Sequence, residues 1–284
     1  MKKELLQYEK KNKYLLCVDS DGTAMNTMDI KHNECFGPAF IEAWGLEAHA
    51  EEVQHIWNVI NLASVKRGIN RFLGLQLTLE YVSKYVTPIE GLDELKQWID
   101  TTPALSNVEL IRYLEDVDSP ILEKALSWSQ HASLNIALYP IEGRRPFDGV
   151  AESLIYAREE SDIVVVSGAN PDAMDEEWEA NGLAYFVDLI LNQNIGTKEY
   201  CISELIKKGY DPRNVIMVGD AMEDLDVAKR CGICFYPIII TKEVDSWARF
   251  QDEAIDRFYD GTYAGDYEAA LIKEFKDALC GKFE

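Results

Sequence analysis

Five apolar runs of strand length, separated by helical stretches, predict an α/β protein built on a parallel sheet with helices on both faces. The runs are Tyr14 to Val18, Ile163 to Val166, Val187 to Leu191, Val215 to Val218 and Ile233 to Ile240. A second observation sets the domain organisation: between the first run and the second lies a long block whose apolar residues recur at helical spacing. A third places the chemistry. The first run ends in Asp19-Ser20-Asp21-Gly22-Thr23 and the fourth in Gly219-Asp220, and open α/β sheets bind ligands just past the carboxyl ends of their strands.

The elements follow in order. After Thr23, Phe36, Phe40, Ile41 and Trp44 fall on one helical face, as do Val53, Ile56, Trp57 and Ile60. Further amphipathic stretches run near 69–85, 92–99, 108–114 and 121–128. Breaks come at Thr87-Pro88, Thr102-Pro103 and Ser119-Pro120, where proline turns the preceding residue away from helical geometry. Residues 26–139 are therefore expected to form an all-helical cap domain inserted into an α/β core made of residues 1–25 and 140–284. Placed over the carboxyl edge of the sheet, such an insertion would exclude water and select substrates. Beyond Tyr139, helices are expected over 147–158, 171–181, 198–208, from Asp220 to Arg230, and over 242–258 and 266–279. Gly182 and Gly209 stand where helices end, as suits glycine.

Composition narrows the function classes. The 284 residues are 27% charged and 47% hydrophobic, ordinary for a soluble globular chain, and the formal net charge is -22. Nucleic acid and anionic membrane both require a basic footprint, so neither is an expected partner. A small phosphorylated substrate remains open, provided cations are concentrated locally. Of the six cysteines, Cys231 and Cys234 form a C-x-x-C with no second Cys/His pair nearby, and all are read as structural thiols. The N-terminus has no apolar signal core and no run reaches membrane-spanning length, so a cytoplasmic location is expected.

Acids, a serine and a lysine converge at the predicted strand ends: Asp19 and Asp21, then Ser167 with Gly168, then Asp220 and Asp224, with Lys198 opening the helix after the third strand. These types suit phosphoryl transfer. A carboxylate such as Asp19 can attack phosphorus and carry the phosphoryl group. A second acid two residues on can protonate the leaving alcohol and later deprotonate water. Ser167 can donate to a non-bridging oxygen. So many carboxylates would repel a phosphate, and two cations resolve this: Lys198 and a hard divalent ion such as Mg²⁺, for which Asp19, the Asp21 backbone carbonyl and Asp220 offer oxygens.

With these residues in order, the chain resembles the haloacid dehalogenase-like (HAD) hydrolase superfamily. The four matching motifs are Asp19-Ser20-Asp21-Gly22-Thr23, Val166-Ser167-Gly168, Gly196-Thr197-Lys198 and Gly219-Asp220-Ala221-Met222-Glu223-Asp224. Each falls at its predicted strand end or helix start, the context that gives such motifs weight. The resemblance implies a Rossmann-like core with strand order 5-4-1-2-3 and a helical insertion of the C1 cap type, here larger than the simple bundle caps of that family. It implies Asp19 as nucleophile and Asp21 as general acid/base. It further implies Thr23, Ser167, Gly168 and Lys198 around the phosphoryl group, and Mg²⁺ held by Asp19, Asp21 and Asp220. Asp224 would lie in the outer metal shell or orient Lys198.

Asp21 separates reaction classes, because a halide leaves without a proton and an alkoxide does not. Its presence favours a phosphatase of a small phosphorylated metabolite over a dehalogenase. A phosphomutase, resembling β-phosphoglucomutase, passes the phosphoryl group to another hydroxyl; a phosphonatase would need a Schiff-base lysine, for which Lys66 is the candidate. A binding module without turnover would not need both Asp19 and Asp21. In the cap, Arg67 and Arg71 belong to its most basic stretch and are candidates for a second anionic group on the substrate. A solvated helix face or ion pairs within the cap is the plainer account of them. Arg144 and Arg145 fall near the return to the core, at an expected hinge. His32, His49, His55 and His131 lack ligand spacing and are read as structural.

Overall fold

Residues 2–169 and 171–279 are described by the structure, a computed structural model. The chain divides into two compact units, one made of Met1–Met28 with Pro140–Leu279 and the other of Asp29–Tyr139.

The first unit is built on five strands: β1 (Tyr14–Val18), β2 (Ser161–Val166), β3 (Leu189–Leu191), β4 (Val215–Gly219) and β5 (Cys234–Pro237). All four pairings are parallel and the order is β3-β2-β1-β4-β5, which is the expected 5-4-1-2-3 read from the other edge. Every residue of β1, β2 and β4 is buried, as in strands covered on both faces. Leu16, Val18, Ile163, Val165, Ile216 and Val218 pack with Val150, Leu154, Trp178, Trp247 and Phe250 from the flanking helices.

Register positions the chemistry. Val18 lies opposite both Val165 and Val218, so residues 19–23, Ser167 and Asp220 leave the sheet at the same carboxyl edge. Just past Asp21 the chain forms a tight turn in which the Ser20 carbonyl accepts N–H groups from Thr23, Ala24 and Met25 at 3.3, 3.0 and 2.8 Å. Gly22 takes φ 78° in that turn, a left-handed value that a side chain would resist. Asn26 N donates to the Arg145 carbonyl and Phe147 N to that of Ala24, at 2.8 and 3.0 Å, so the outgoing and returning segments are tied together.

The second unit is helical throughout, and its long helices are Gly37–Trp44, Ala50–Asn58, Arg71–Tyr85, Leu92–Thr101, Asn107–Leu114 and Pro120–Leu138. An aromatic cluster fills it: Trp57 meets Trp128 edge-on at 5.8 Å, and Phe72 meets Trp98 at 4.9 Å. Ser106 and Asn70 cap two of these helices through their side chains.

Three details depart from the sequence reading. The last strand stops at Pro237 rather than Ile240: Ile239 N donates to Ser246 Oγ instead of extending a ladder, and Thr241 turns the chain at φ 66°. The expected helix over 242–258 is Glu243–Arg249, a π-helical turn Phe250–Ala254, then Ile255–Tyr259. A short helix, Lys2–Gln7, precedes β1, and Tyr8 behind it meets the Tyr210 hydroxyl at 3.3 Å. No helix among the described residues is long and apolar enough to cross a membrane.

Candidate active site

Lys198 is the centre of the site. It is the first residue of helix Lys198–Ile206, whose start is capped by the Thr197 hydroxyl accepting from Tyr200 N. Its Nζ donates to Asp19 Oδ2 at 2.8 Å and to Asp224 Oδ1 at 2.6 Å, and all three groups are buried. The other Asp19 oxygen accepts the Ser20 N–H at 2.8 Å. The other Asp224 oxygen accepts the Ala221 N–H at 3.1 Å, at the positive end of helix Met222–Cys231. Gly219 makes this approach possible, since a Cβ there would lie 2.4 Å from Asp224 Cγ. Thr23 Oγ1 donates to Asp220 Oδ1 at 2.6 Å, which ties the first motif to the fourth across 197 residues.

Asp21 belongs to a different environment. It is half-buried, and its Oδ1 accepts the Thr27 hydroxyl at 2.6 Å. Asp19 thus bonds an ammonium, while Asp21, two residues on, accepts a neutral hydroxyl. Ser167 is buried at the end of β2; its N–H donates to the Leu191 carbonyl and its Oγ accepts from Ala169 N at 3.3 Å. Gly168 is exposed with open space around it. Arg67 and Arg71 are engaged within the helical unit. Arg67 donates to the Leu62 carbonyl at 2.9 Å; Arg71 Nη1 reaches Ser133 Oγ at 2.8 Å and Ser129, with its guanidinium 4.9 Å from the Phe36 ring centre.

Burial governs the charges. It raises the Asp19 carboxyl above its ordinary range, Lys198 opposing and Asp220 reinforcing the shift. Burial likewise pushes Asp224 up to about 8, against the lowering effect of Lys198. Burial alone would lower Lys198, but Asp19 and Asp224 outweigh it and hold its ammonium protonated. With all three acids ionised, three carboxylates would face one ammonium and the cluster would be short of positive charge.

A divalent cation would supply it. One carboxylate oxygen from each of Asp19, Asp220 and Asp224 lies within 4.8 Å of the others, all three residues are buried, and the donors are oxygen only. An oxygen set of this kind suits a hard ion. The side chain of Asp21 is not among these donors.

This predicts a pH effect. Between its ordinary 3.8 and about 8, folded Asp224 holds a proton that the unfolded chain has released. Its contribution to stability is therefore greatest at low pH and is lost as pH rises through that window. Without a cation, the thermal midpoint should fall between about pH 5 and about pH 8 more steeply in the wild type than in Asp224→Asn. Added divalent cation should displace the proton, so that its stabilisation is larger at the higher pH and binding releases protons, measurable by calorimetry in buffers of different ionisation enthalpy.

The family model for haloacid dehalogenase-like hydrolases matches residues 15–232. The chain belongs to this family of hydrolases. No curated protein matches it. Among solved structures, a candidate phosphoglycolate phosphatase from Lactobacillus delbrueckii subsp. bulgaricus is similar at 13% identity and TM-score 0.53, over 95% of this chain and 99% of that one. An L-2-haloacid dehalogenase from Xanthobacter autotrophicus is similar at 16% identity and TM-score 0.42, over 96% and 91%. A haloacid dehalogenase-like family protein from Streptococcus pneumoniae is similar at 12% identity and TM-score 0.46, over 84% and 91%. At 13% identity the first of these likenesses is one of fold.

Thr27 escaped the sequence reading, as did two tryptophans that bond the Asp19–Thr23 segment. Trp178 Nε1 donates to Ser20 Oγ and Trp247 Nε1 to the Thr23 carbonyl, each at 2.9 Å. Both lie too far along the chain, by 158 and 224 residues, for any local pattern to signal them.

Proposed function

We propose that this chain is a Mg²⁺-dependent phosphatase that hydrolyses a small phosphate monoester through an aspartyl phosphate on Asp19. One observation carries the reading: Asp19 sits in a buried cluster of three carboxylates with Lys198, while the Asp21 side chain lies outside that cluster and accepts the Thr27 hydroxyl. That separation gives one acid the role of nucleophile and leaves the other able to move a proton.

In the first step an Asp19 oxygen forms a bond to phosphorus as the phosphorus–alkoxide bond breaks, and Asp21 gives its proton to the leaving oxygen. In the second, Asp21 takes a proton from water as that water attacks phosphorus and Asp19 departs as a carboxylate. Lys198 stabilises the charge on Asp19 in both steps, and Ser167 with Thr23 and Gly168 borders the phosphoryl group. Asp19, Asp220, Asp224 and the Asp21 backbone carbonyl would hold Mg²⁺, which when bound neutralises charge on the phosphoryl oxygens. A haloacid would leave Asp21 without a use, which favours phosphate esters.

The test is phosphate release from p-nitrophenyl phosphate and from a panel of phosphorylated metabolites, with Mg²⁺ and with EDTA. Activity that needs Mg²⁺ and disappears with EDTA supports the reading. Activity indifferent to chelation, or absent on every ester of the panel, contradicts it.

A further inference from the structure

Trp178 and Trp247 are both fully buried, one in helix Pro171–Ala180 and the other in helix Glu243–Arg249. An indole has a single N–H donor and no acceptor, so each can fix one partner only. Both spend it on the turn that carries the two acids. Elsewhere in the chain a buried indole does without: Trp98 Nε1, in the helical unit, has no hydrogen-bond partner. Filling space therefore does not require the bonds that Trp178 and Trp247 make.

What they hold is specific. Trp178 bonds the hydroxyl of Ser20, whose own N–H is the donor to Asp19 Oδ1. Trp247 bonds the carbonyl of Thr23, whose hydroxyl is the donor to Asp220 Oδ1. Each indole thus stands one residue removed from a different carboxylate. The backbone of the turn is already closed by the bonds to the Ser20 carbonyl; the indoles add orientation of the peptide and hydroxyl groups that aim at Asp19 and Asp220.

We propose that Trp178 and Trp247 are positioning residues of the active site, Trp178 aligning Asp19 through Ser20 and Trp247 aligning Asp220 through Thr23. The inference rests on the proposed function, and it assigns the two indoles different tasks. Partners that orient a metal ligand typically change metal affinity about 10- to 100-fold when removed.

The experiment is calorimetric titration of Mg²⁺ alone into wild type, Trp247→Phe and Trp178→Phe, followed by kinetics on p-nitrophenyl phosphate. Trp247→Phe should weaken Mg²⁺ binding about tenfold with KM for the ester at saturating Mg²⁺ nearly unchanged. Trp178→Phe should lower kcat about tenfold at saturating Mg²⁺ and, because Asp19 is also a metal ligand, weaken Mg²⁺ binding too, whereas Trp247→Phe should leave kcat at saturating Mg²⁺ within about twofold. In a Thr23→Val background Trp247→Phe should add little further loss of Mg²⁺ affinity, because the path runs through Thr23. Additive losses, or variants that bind Mg²⁺ and turn over like wild type, overturn the inference. Wild type that binds no Mg²⁺ overturns the proposed function, and with it this inference. Should a variant fail to fold, the indole N–H spectrum of the wild type serves instead. Mg²⁺ should shift the Trp247 signal and leave those of Trp98 and Trp128 in place; a Trp247 signal unmoved by Mg²⁺ that binds overturns the inference.

Discussion

Asp19→Asn should lower phosphate release by at least about a thousandfold, the order expected when a nucleophile is removed from a covalent mechanism. The amide cannot attack phosphorus, and it also removes one of the three carboxylates that converge within 4.8 Å, so Mg²⁺ affinity should fall as well. Folding should survive. The neutral group relieves repulsion from Asp220 and keeps an acceptor for the Ser20 N–H, but its amide NH₂ then faces the Lys198 ammonium, which is left with Asp224 as its carboxylate partner. The measurements are steady-state kinetics, Mg²⁺ titration and the thermal midpoint. Loss of activity from a chain that still unfolds in one cooperative transition is the expected pattern.

Lys198→Met has the second large effect, and it differs in kind. Its ammonium is the cation bonded to both Asp19 and Asp224. Breaking a buried ion pair by removing one partner costs roughly 3–5 kcal/mol, because the remaining charge is left uncompensated. Here the carboxyls can take up protons instead. Without Lys198 their affinities for protons rise further, so the folded variant binds more protons than the unfolded chain up to a higher pH. Stability should therefore be near that of wild type at about pH 5 and fall steadily towards pH 8, with about 3 kcal/mol lost at the upper end. Activity should fall with it at every pH. Urea unfolding across that range reads the first effect; a loss independent of pH would show that Lys198 acts through packing alone. Lys198→Arg should not restore activity, since a planar guanidinium cannot present one point charge to two carboxylates in the same way.

Much of this site was legible in the sequence because its parts are local. A strand that ends in Asp19-Ser20-Asp21-Gly22-Thr23, a lysine that opens a helix and a Gly219-Asp220 strand end are patterns of adjacent residues. The parallel sheet then brings their ends to one edge by register alone. What the sequence did not disclose depends on side-chain reach. Trp178 and Trp247 read as ordinary apolar helix positions, and only the packing of their helices aims the indole N–H groups at the acid-bearing turn. Thr27 sits six residues from Asp21 in an irregular segment with no periodicity to mark it. The direction of Arg71 was equally hidden: it is half-buried, with its guanidinium held by serines and its pKa lowered to about 10 by desolvation. The π-helical turns Lys31–Phe36, Val59–Ala63 and Phe250–Ala254 each depart from the helical period, which apolar spacing cannot register.

The covalent step on Asp19 is tested most directly with Asp21→Asn and p-nitrophenyl phosphate. The nitrophenolate leaves without a proton, so the first step needs no acid, while the second still needs a base for water. The variant should release about one equivalent of nitrophenolate per site in a rapid burst and then turn over slowly. Mass spectrometry should place one phosphoryl group on the peptide that contains Asp19. Nitrophenolate and phosphate released in step, with no burst and no phosphoryl group on that peptide, would contradict the account.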